Sequence, residues 1–195
     1  MYGKTSAGVG QAPLIDSDRR LVTASGGGRL SEAALAGRLF TGTNTALINT
    51  STTLNTTFVG LALTNPTGSG KNLIVHKFSY ALDIVITAEC QLCLATTTDS
   101  GMTTAEFTPI CTRYGYATSV ATVRDGGTIV APVIIMPIAS LGDAATTTWL
   151  GDPKVVDLDG SIVLAPGRTL CTDTTVAVGS AAMRFAYMWE EVDAA

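Results

Sequence analysis

The segment from Asn65 to Asn72 contains the residues of this chain that come nearest to a phosphate-binding motif, Gly68-Ser69-Gly70-Lys71. A P-loop needs a glycine where Asn65 stands, a serine or threonine where Asn72 stands, and a helix whose N-terminal amides complete the phosphate cradle. The residues that follow alternate as a strand does, so no such helix is expected. Because Gly, Pro, Asn and Ser favour tight turns, this segment predicts a structural turn rather than a nucleotide site.

The four cysteines are the next residues that could carry chemistry: Cys90, Cys93, Cys111 and Cys171. Cys90 and Cys93 have the spacing of half a zinc knuckle, but a tetrahedral zinc site needs a second ligand pair, and the other two cysteines are isolated. Residues three apart on a strand also point to opposite faces. The sequence therefore favours buried free thiols without metal over disulfides, because no oxidising compartment is indicated.

The single histidine, His76, falls on the heavier face of a predicted strand and is expected to be a core or interface residue. General acid–base catalysis usually places a histidine beside a serine, cysteine or carboxylate, and no such pattern surrounds it. The turn Asp157-Leu158-Asp159-Gly160 could touch calcium, but it lacks the remaining ligands of a dedicated loop, so a plain turn is favoured. The sequence predicts no catalytic residue, no metal site and no cofactor.

Composition indicates one compact body built mainly of strands. The chain has 195 residues, of which 46% are hydrophobic, and its mean hydropathy is +0.34. Only 14% of the residues are charged, whereas thirty are threonine. The β-branched threonine side chain fits a pleated, half-buried surface, so this composition favours strands with a hydroxyl-rich exterior.

The charges are unevenly distributed along the chain. Residues 1–38 carry five basic and three acidic residues, and the remainder carries seven basic and thirteen acidic ones. An acidic body repels phosphates, so nucleic acid is not expected as a partner.

The longest apolar run, Ile129 to Ile138, contains Pro132 and Pro137 and is much shorter than the roughly 20 residues of a membrane span. No membrane association or secretion signal is expected, and synthesis in the cytoplasm is the default.

Short apolar segments separated by turn residues predict a β-sandwich or barrel. The predicted turns are Asn65–Asn72, Asp125-Gly126-Gly127, Asp152-Pro153, Asp157–Gly160 and Pro166-Gly167. The predicted strands are Thr45 to Asn49, Phe58 to Thr64, Leu73 to Ala88, Cys90 to Thr96, Tyr116 to Val123, Thr128 to Ile138, Ser161 to Ala165, Thr169 to Val178 and Ala181 to Val192.

Two of these strands show the clearest alternation. In the strand predicted at Leu73 to Ala88, the even residues from Ile74 through His76 and Phe78 to Ile86 are predicted to form the face with the larger side chains, called the heavy face below. In the last, Met183, Phe185, Tyr187 and Trp189 share the face that is predicted to point into the core. An aromatic ligand box is the alternative for the last strand, but alternation alone explains its pattern.

The N-terminal region is predicted to be an arm that does not build the core. Residues 1–28 are rich in glycine and poor in apolar side chains, so they cannot bury enough surface to become ordered alone. Residues 31–36 are predicted to form one or two helical turns, with Ser31 as the cap and Gly37 as the stop. The predicted domains are therefore an arm with a short helix at 1–38 and a sandwich at 39–195.

Several stretches resemble the jelly-roll structural proteins of tailed bacteriophages. They are Pro13 to Val22, Gly60 to Leu73, Ile162 to Gly167 and Trp189-Glu190-Glu191. The resemblance implies an all-β jelly-roll sandwich that decorates the outside of the phage head as a cement protein. It also implies a homotrimer, with an arm that contacts the major capsid protein. The expected location is the outer surface of the virion.

The site residues predicted from this resemblance are contact residues rather than catalytic ones. Arg19, Arg20, Leu21 and Val22 combine charge with apolar bulk in the basic head, and we expect them to contact the shell. The exposed part of the apolar run, represented by Ile129, Val130, Val133 and Ile135, is the predicted subunit contact.

Two other functions remain open at this point. A tail, baseplate or head-fibre domain that binds a host glycan or another virion protein would have the same fold, and fold alone does not decide function. An enzyme of the cupin type would need two or three clustered histidine ligands, whereas this chain has one histidine. We therefore expect a protein that is not an enzyme.

Overall fold

The structure is a computed structural model that describes residues 3–4, 10–11, 14–15, 21–22, 30–50, 57–83, 90–98, 102, 104–141, 151–178 and 182–194. It divides into two compact units, Met1–Glu32 and Ala33–Ala195. The predicted domain boundary followed residue 38, six residues later than this division. None of the described helices is long and apolar enough to cross a membrane.

The first unit contains two short antiparallel strand pairs. Strand β1 (Gly3–Lys4) pairs with β2 (Gly10–Gln11), and β3 (Leu14–Ile15) pairs with β4 (Leu21–Val22). The prediction of an extended arm did not include this local pairing.

A short helix, α1 (Ser31–Leu35), lies where the sequence predicted one. Gly37 follows it with a φ of +72°, and its amide donates to the Ala34 carbonyl at 3.0 Å. The Arg38 amide donates to the Ala33 carbonyl at 2.9 Å. This left-handed glycine satisfies the last helical carbonyls, so the predicted stop at Gly37 is confirmed.

The second unit is a sandwich of two antiparallel sheets. Its strands are β5 (Leu39–Thr43), β6 (Thr57–Asn65), β7 (Lys71–Leu82), β8 (Gln91–Thr98), β9 (Thr104–Phe107), β10 (Ile110–Cys111), β11 (Thr122–Thr128), β12 (Val133–Ser140), β13 (Gly151–Leu164), β14 (Arg168–Thr174) and β15 (Met183–Asp193). One sheet has the order β10-β5-β15-β7-β13, and the other has the order β12-β8-β14-β6-β11-β9. The predicted all-β sandwich is confirmed.

Contacts across the core fix how the two sheets face each other. Val123 on β11 lies over Gly42 on β5, where an added β-carbon would come within 2.6 Å of the valine Cγ2. The Tyr187 hydroxyl on β15 donates to the Leu61 carbonyl on β6 at 3.2 Å. Strands β5 and β15 therefore lie over β11 and β6. It follows that the edge strands β12 and β13 share one side of the sandwich, and that β9 and β10 share the opposite side.

Aromatic side chains fill the space between the sheets, and the predicted core face of β15 is confirmed. Met183, Phe185, Tyr187 and Trp189 are all fully buried. Phe78 on β7 packs against Phe185 and Tyr187, with ring centroids 5.9 and 5.2 Å apart. Offset aromatic pairs of this kind add to the stability that their buried area provides.

Strand β7 changes faces in the middle, so its predicted heavy face is only half right. Leu73 and Val75 are fully buried, whereas Ile74, which was predicted to face the core, is only partly buried. Phe78, Tyr80 and Leu82 face the core as predicted, whereas the rest of the predicted strand, from residue 84 to residue 88, lies outside the described residues. The reason is a bulge at His76, because Val75 pairs with Trp189 but Lys77 pairs with Met188. One extra residue reverses which side chains point inward.

Several predicted turns lie inside strands. Asp125 to Gly127 lies in β11, where the pairing with β6 shifts between Arg124 and Gly126. Asp157 to Gly160 bulges from β13, with Asp159 at φ +53° and Gly160 at φ +74°. Pro153 also lies in β13, which is an edge strand and tolerates a residue without an amide hydrogen. These residues bend strands instead of ending them.

Other boundaries differ as well. The strand predicted at Thr45 to Asn49 lies earlier, at Leu39–Thr43, and Ile48 makes only an isolated bridge to Met183. The strand predicted from Tyr116 begins at Thr122, because residues 112–118 form an exposed loop. The run predicted as one strand from Thr128 to Ile138 is interrupted near Ala131, whose φ is +44°. Strands β9 and β10 were not predicted.

Candidate interaction surfaces

Among the described residues, strand β12, at one edge of the six-stranded sheet, and the loop before it carry a group of exposed apolar side chains. We call it the β12 edge and define it by Val130, Val133, Ile134 and Ile135, whose exposed fractions are 55%, 61%, 48% and 43%. Three of the four are consecutive, and the pairing of β12 with β8 shifts between Ile134 and Met136, so that Ile135 is an extra residue in the edge strand. An apolar edge strand without a partner is a template for association.

Ile129, the first residue of the predicted subunit contact, does not belong to this surface. It is 1% exposed and lies in a second apolar cluster outside the main core. The other members of that cluster are Phe58, Ala62, Ala95, Met102 and Cys171. The loop that carries Val130 is held by Thr97, whose hydroxyl donates to the Val130 carbonyl at 2.5 Å. Ile129 is therefore buried beneath the loop and is not part of the exposed surface, and a subunit contact through Val130, Val133 and Ile135 stays a prediction.

A second exposed apolar group lies on the opposite side of the sandwich and was not predicted. We call it the tyrosine side and define it by Leu35, Ile110, Tyr114 and Tyr116, whose exposed fractions are 70%, 50%, 90% and 56%. Its sequence signal is the pair of tyrosines in Tyr114-Gly115-Tyr116, of which Tyr116 was assigned to a predicted strand and Tyr114 to no element. An exposed loop with two tyrosines is a better description.

The tyrosine side is held in a defined shape by local contacts. The Arg113 guanidinium lies 3.9 Å from the centre of the Tyr116 ring and donates to the Leu35 carbonyl at 2.6 Å. The Tyr116 ring occupies the space beside Gly37, where an added β-carbon would lie 2.0 Å from its Cδ1. The Tyr116 amide donates to the Arg113 carbonyl at 3.0 Å and closes a turn whose tip is Tyr114. The loop is therefore joined to the end of α1 and presents Tyr114 outward.

The outer face of the five-stranded sheet contains a shallow groove of about 320 Å³. Its lining is mixed, with Thr41, Lys77, Ser79, Val155, Ala186, Tyr187 and Met188. The Thr41 hydroxyl is used by the fold, because it donates to the Tyr187 carbonyl at 3.1 Å. Lys77 is the only cationic group of the lining, so the groove has no paired groups for acid–base chemistry.

His76 lies at the β7 bulge next to a small charged group. It is 6% exposed, and its Nε2 lies 3.6 Å from a Glu190 carboxylate oxygen. The other Glu190 oxygen accepts from the Arg38 Nε at 3.0 Å. Burial of His76 matches the prediction of a core or interface residue. No three His, Cys, Asp or Glu side chains among the described residues lie close enough together to hold a metal ion.

The four cysteines are buried free thiols, as predicted. Cys90, just before β8, belongs to the main core. Cys93 lies on the outer face of β8, where it pairs with Asp173 of β14. The side chains of Cys90 and Cys93 therefore point to opposite faces of the sheet. Burial raises the pKa of the Cys171 thiol to about 12, with a further contribution from Asp173. Burial also raises the pKa of Cys93, again helped by Asp173. Such thiols are poor nucleophiles at neutral pH.

The two turns that were compared with phosphate and calcium sites, Asn65–Asn72 and Asp157–Gly160, have structural roles. Asn65 donates to the Lys71 and Leu164 carbonyls at 2.7 and 2.8 Å and accepts from the Ser69 hydroxyl at 2.6 Å. These bonds close the Pro66–Gly70 turn, and β7 follows it, so the predicted turn is confirmed. In the β13 bulge, an Asp157 carboxylate oxygen accepts from the Asp159 amide at 3.0 Å.

Two of the predicted shell-contact residues, Arg19 and Arg20, lie outside the described residues. Leu21 and Val22 form β4 in the first unit and pair with Ile15 and Leu14. Their role as contact residues stays a prediction.

Comparison of the chain with protein-family models, with curated proteins and with solved structures finds no match.

Proposed function

We propose that this chain is a structural protein of a tailed bacteriophage that binds the outside of the head and stabilises contacts between major capsid protein subunits. The observation that carries the proposal is the pair of exposed apolar sides on an otherwise well-packed sandwich. Surfaces of this kind suit adhesion to other subunits, whereas the groove suits no particular reaction. The protein is proposed to act without catalysis and without a cofactor.

We further propose that the sandwich is a jelly roll. Eight strands, β5, β6, β7, β8, β12, β13, β14 and β15, can be numbered one to eight along the chain. The five-stranded sheet then contains them in the order one, eight, three, six, and the other sheet in the order five, four, seven, two. Such a pattern supports two interlocked Greek keys, as in the jelly rolls of viral capsid proteins. Strands β9, β10 and β11 are an insertion that widens the sheets at one side.

In the proposed mechanism the protein acts as a homotrimer, and the β12 edge supplies a subunit contact. Each trimer would bridge neighbouring shell subunits and add buried area across contacts that internal pressure tends to open. Repetition over the lattice multiplies a modest free energy per site.

The first unit is proposed to contact the shell through Arg19, Arg20, Leu21 and Val22. It belongs to the basic part of an otherwise acidic chain, and arginine forms bidentate bonds with carboxylates. The division of the chain after Glu32 supports separate roles for binding and for the sandwich. The protein would be made in the host cytoplasm and reside on the outer surface of the virion.

Locating the protein in the particle tests this proposal. Cryo-electron microscopy of purified virions should show density for the sandwich on the outer surface of the head, at a copy number close to that of the shell protein. A protein present in only a few copies at the tail would overturn the decoration role and favour a tail or fibre component.

A shortened variant tests the shell contact. A chain that begins at Arg29 should unfold at nearly the same temperature as the full-length protein but bind undecorated capsids much more weakly. The matched control is the full-length Arg19→Ala/Arg20→Ala variant, which removes charge and retains the segment. Unchanged capsid binding by both variants would remove the first unit from the proposed contact.

A further inference from the structure

We infer that subunits associate head to tail, with the β12 edge of one copy on the tyrosine side of the next copy. This inference rests on the self-association in the proposed function and names the surface that receives the β12 edge. The occupant of each surface is thus a second copy of this chain.

The placement of the two surfaces favours this arrangement. The β12 edge lies on the side of the sandwich formed by β12 and β13, and the tyrosine side lies at the β10 edge on the opposite side. A twofold dimer uses the same patch on both copies and would leave the other patch of each copy exposed. A head-to-tail contact covers one patch on each of the two copies that it joins, and both patches of every copy are covered when the rotation between copies closes a ring.

The two surfaces also differ in chemistry in a complementary way. The β12 edge lies in a segment, residues 128–141, that contains no charged residue, and its side chains are branched aliphatic. On the tyrosine side Arg113 holds the Tyr116 ring, so little side-chain entropy of that residue is lost when a partner covers it, and Tyr114 projects beside it at the tip of the turn. Exposed tyrosines are typical anchors of protein interfaces, because they supply a large contact area with few rotatable bonds.

The charges next to the two surfaces support the same pairing. Arg113 is the single charged residue of the loop 112–118. Beside the β12 edge, the neighbouring edge strand β13 carries exposed Lys154, Asp157 and Asp159, which leave one net negative charge, together with exposed Val155 and Val163. A head-to-tail contact brings the cationic side of one copy toward this side of the next, whereas like sides in contact would not gain this attraction.

Disulfide trapping between variants that each add one surface cysteine tests the contact directly. The native cysteines are buried, so they give a low background. Val133→Cys and Tyr114→Cys variants of the full-length protein, one of them with a size tag, are mixed under mild oxidation. We expect a disulfide between the two different variants, and neither variant alone should form a dimer. Thr67→Cys, in the exposed turn at the end of the sandwich, is the matched control and should form no cross-link.

Light scattering on the unmodified protein and on Tyr114→Ala separates the possible outcomes. The variant should weaken self-association by roughly 30-fold or more, as expected for an interface anchor. If the protein is trimeric but Val133→Cys cross-links to itself, or Tyr114→Ala associates normally, the head-to-tail contact is wrong and the proposed trimer stands. If the unmodified protein stays monomeric at all concentrations and on capsids, the proposed self-association fails, and the inference fails with it.

Discussion

The acidic side chains of this protein show how strongly position decides what one residue type does. Asp193 is exposed and forms a 2.6 Å ion pair with Lys71, which lowers its pKa. Asp173 is 7% exposed on the outer face of β14, and burial raises its pKa, although a bond from the Thr174 amide partly opposes this shift. The first environment favours the charged carboxylate, and the second favours the neutral acid.

Asp173→Asn is expected to raise the free energy of unfolding at neutral pH. A carboxyl group whose pKa is raised by folding stabilises the protein below its unfolded pKa of about 4, and this contribution is lost as pH rises through the folded pKa. The advantage of the variant should therefore be largest at pH 7 and shrink toward pH 3. Urea unfolding at a series of pH values measures the difference.

Asp193→Asn is the control, because folding lowers the pKa of Asp193 whereas it raises the pKa of Asp173. Its lowered pKa means that the carboxylate stabilises the folded protein above the unfolded pKa, so this variant should gain nothing at pH 7. If Asp173→Asn were less stable than the unmodified protein at pH 7, the assigned cost of burying the Asp173 charge would be wrong.

At the scale of elements, the facing bulges of β7 and β13 bend the outer part of the five-stranded sheet. Gly160, in the β13 bulge, has a φ of +74°, and an added β-carbon would lie 3.0 Å from Ile74 Cγ2 and 3.5 Å from His76 Cε1. The bulge of one strand therefore covers the bulge of the other, and His76 is buried between them.

Gly160→Ala is expected to destabilise the sandwich by about 2–3 kcal/mol, since it combines left-handed backbone strain with a tight side-chain contact. Gly68→Ala is a matched control, because Gly68 has a φ of +78° and nothing lies within 4 Å of an added β-carbon. It should cost only about 1 kcal/mol. Chemical unfolding of both variants measures the difference, and equal losses would show that the facing bulges are not tightly packed.

The last strand also joins the loop before β11 to the core through Glu191. One Glu191 oxygen accepts from the Ser119 hydroxyl at 2.5 Å, the Val120 amide at 3.1 Å and the Trp189 indole at 3.3 Å. The residue is 6% exposed, so these donors would be left without partners if the carboxylate were removed.

Glu191→Ala is expected to lower the free energy of unfolding by roughly 3 kcal/mol, because one buried and two partly buried donors lose their acceptor. Glu190→Ala removes the neighbouring carboxylate, whose partner Arg38 is half exposed, and should cost about 1 kcal/mol or less. Thermal and urea unfolding compare the two variants. A larger loss of unfolding free energy for Glu190→Ala than for Glu191→Ala would contradict the stabilising role assigned to the Glu191 hydrogen bonds.

At the scale of the whole molecule, the described chain hides its reactive groups and exposes apolar ones on two opposite sides. All four thiols are at most 4% exposed, whereas Tyr114 is 90% exposed. Buried thiols react slowly, whereas exposed apolar side chains are available for contact with other molecules.

Thiol titration is expected to find four reactive groups in denaturant without prior reduction and very slow reaction in the native protein at pH 8. Burial and the raised pKa of Cys171 and Cys93 both reduce the amount of accessible thiolate. Fewer than four groups in denaturant would reveal a disulfide or other modification. Rapid native reaction of two groups would show that the sandwich opens readily.

Much of the sandwich could be predicted, because alternation is a local property. The core face of β15, the stop at Gly37 and the turn after Asn65 depend on neighbouring residues and were predicted correctly. The prediction of the β7 core face was only half right. The bulge at His76 changes which side chains point inward, and its position depends on the strands that pair with β7. Of the predicted contact surface, Val130, Val133 and Ile135 are exposed, but Ile129 is buried under a loop that periodicity does not reveal.

The sequence by itself determined the all-β class, the burial of the cysteines and the aromatic core face of the last strand, because composition and period two act over a few residues. Only the tertiary structure decided the strand order, the inward carboxylate of Glu191 and the placement of the β12 edge opposite the tyrosine side. Those features depend on pairing between residues far apart in the chain, such as Phe40 with Trp189 and Thr41 with Ile110. Pairing of this kind is selected by the packing of the whole sandwich, and single segments carry no signal for it.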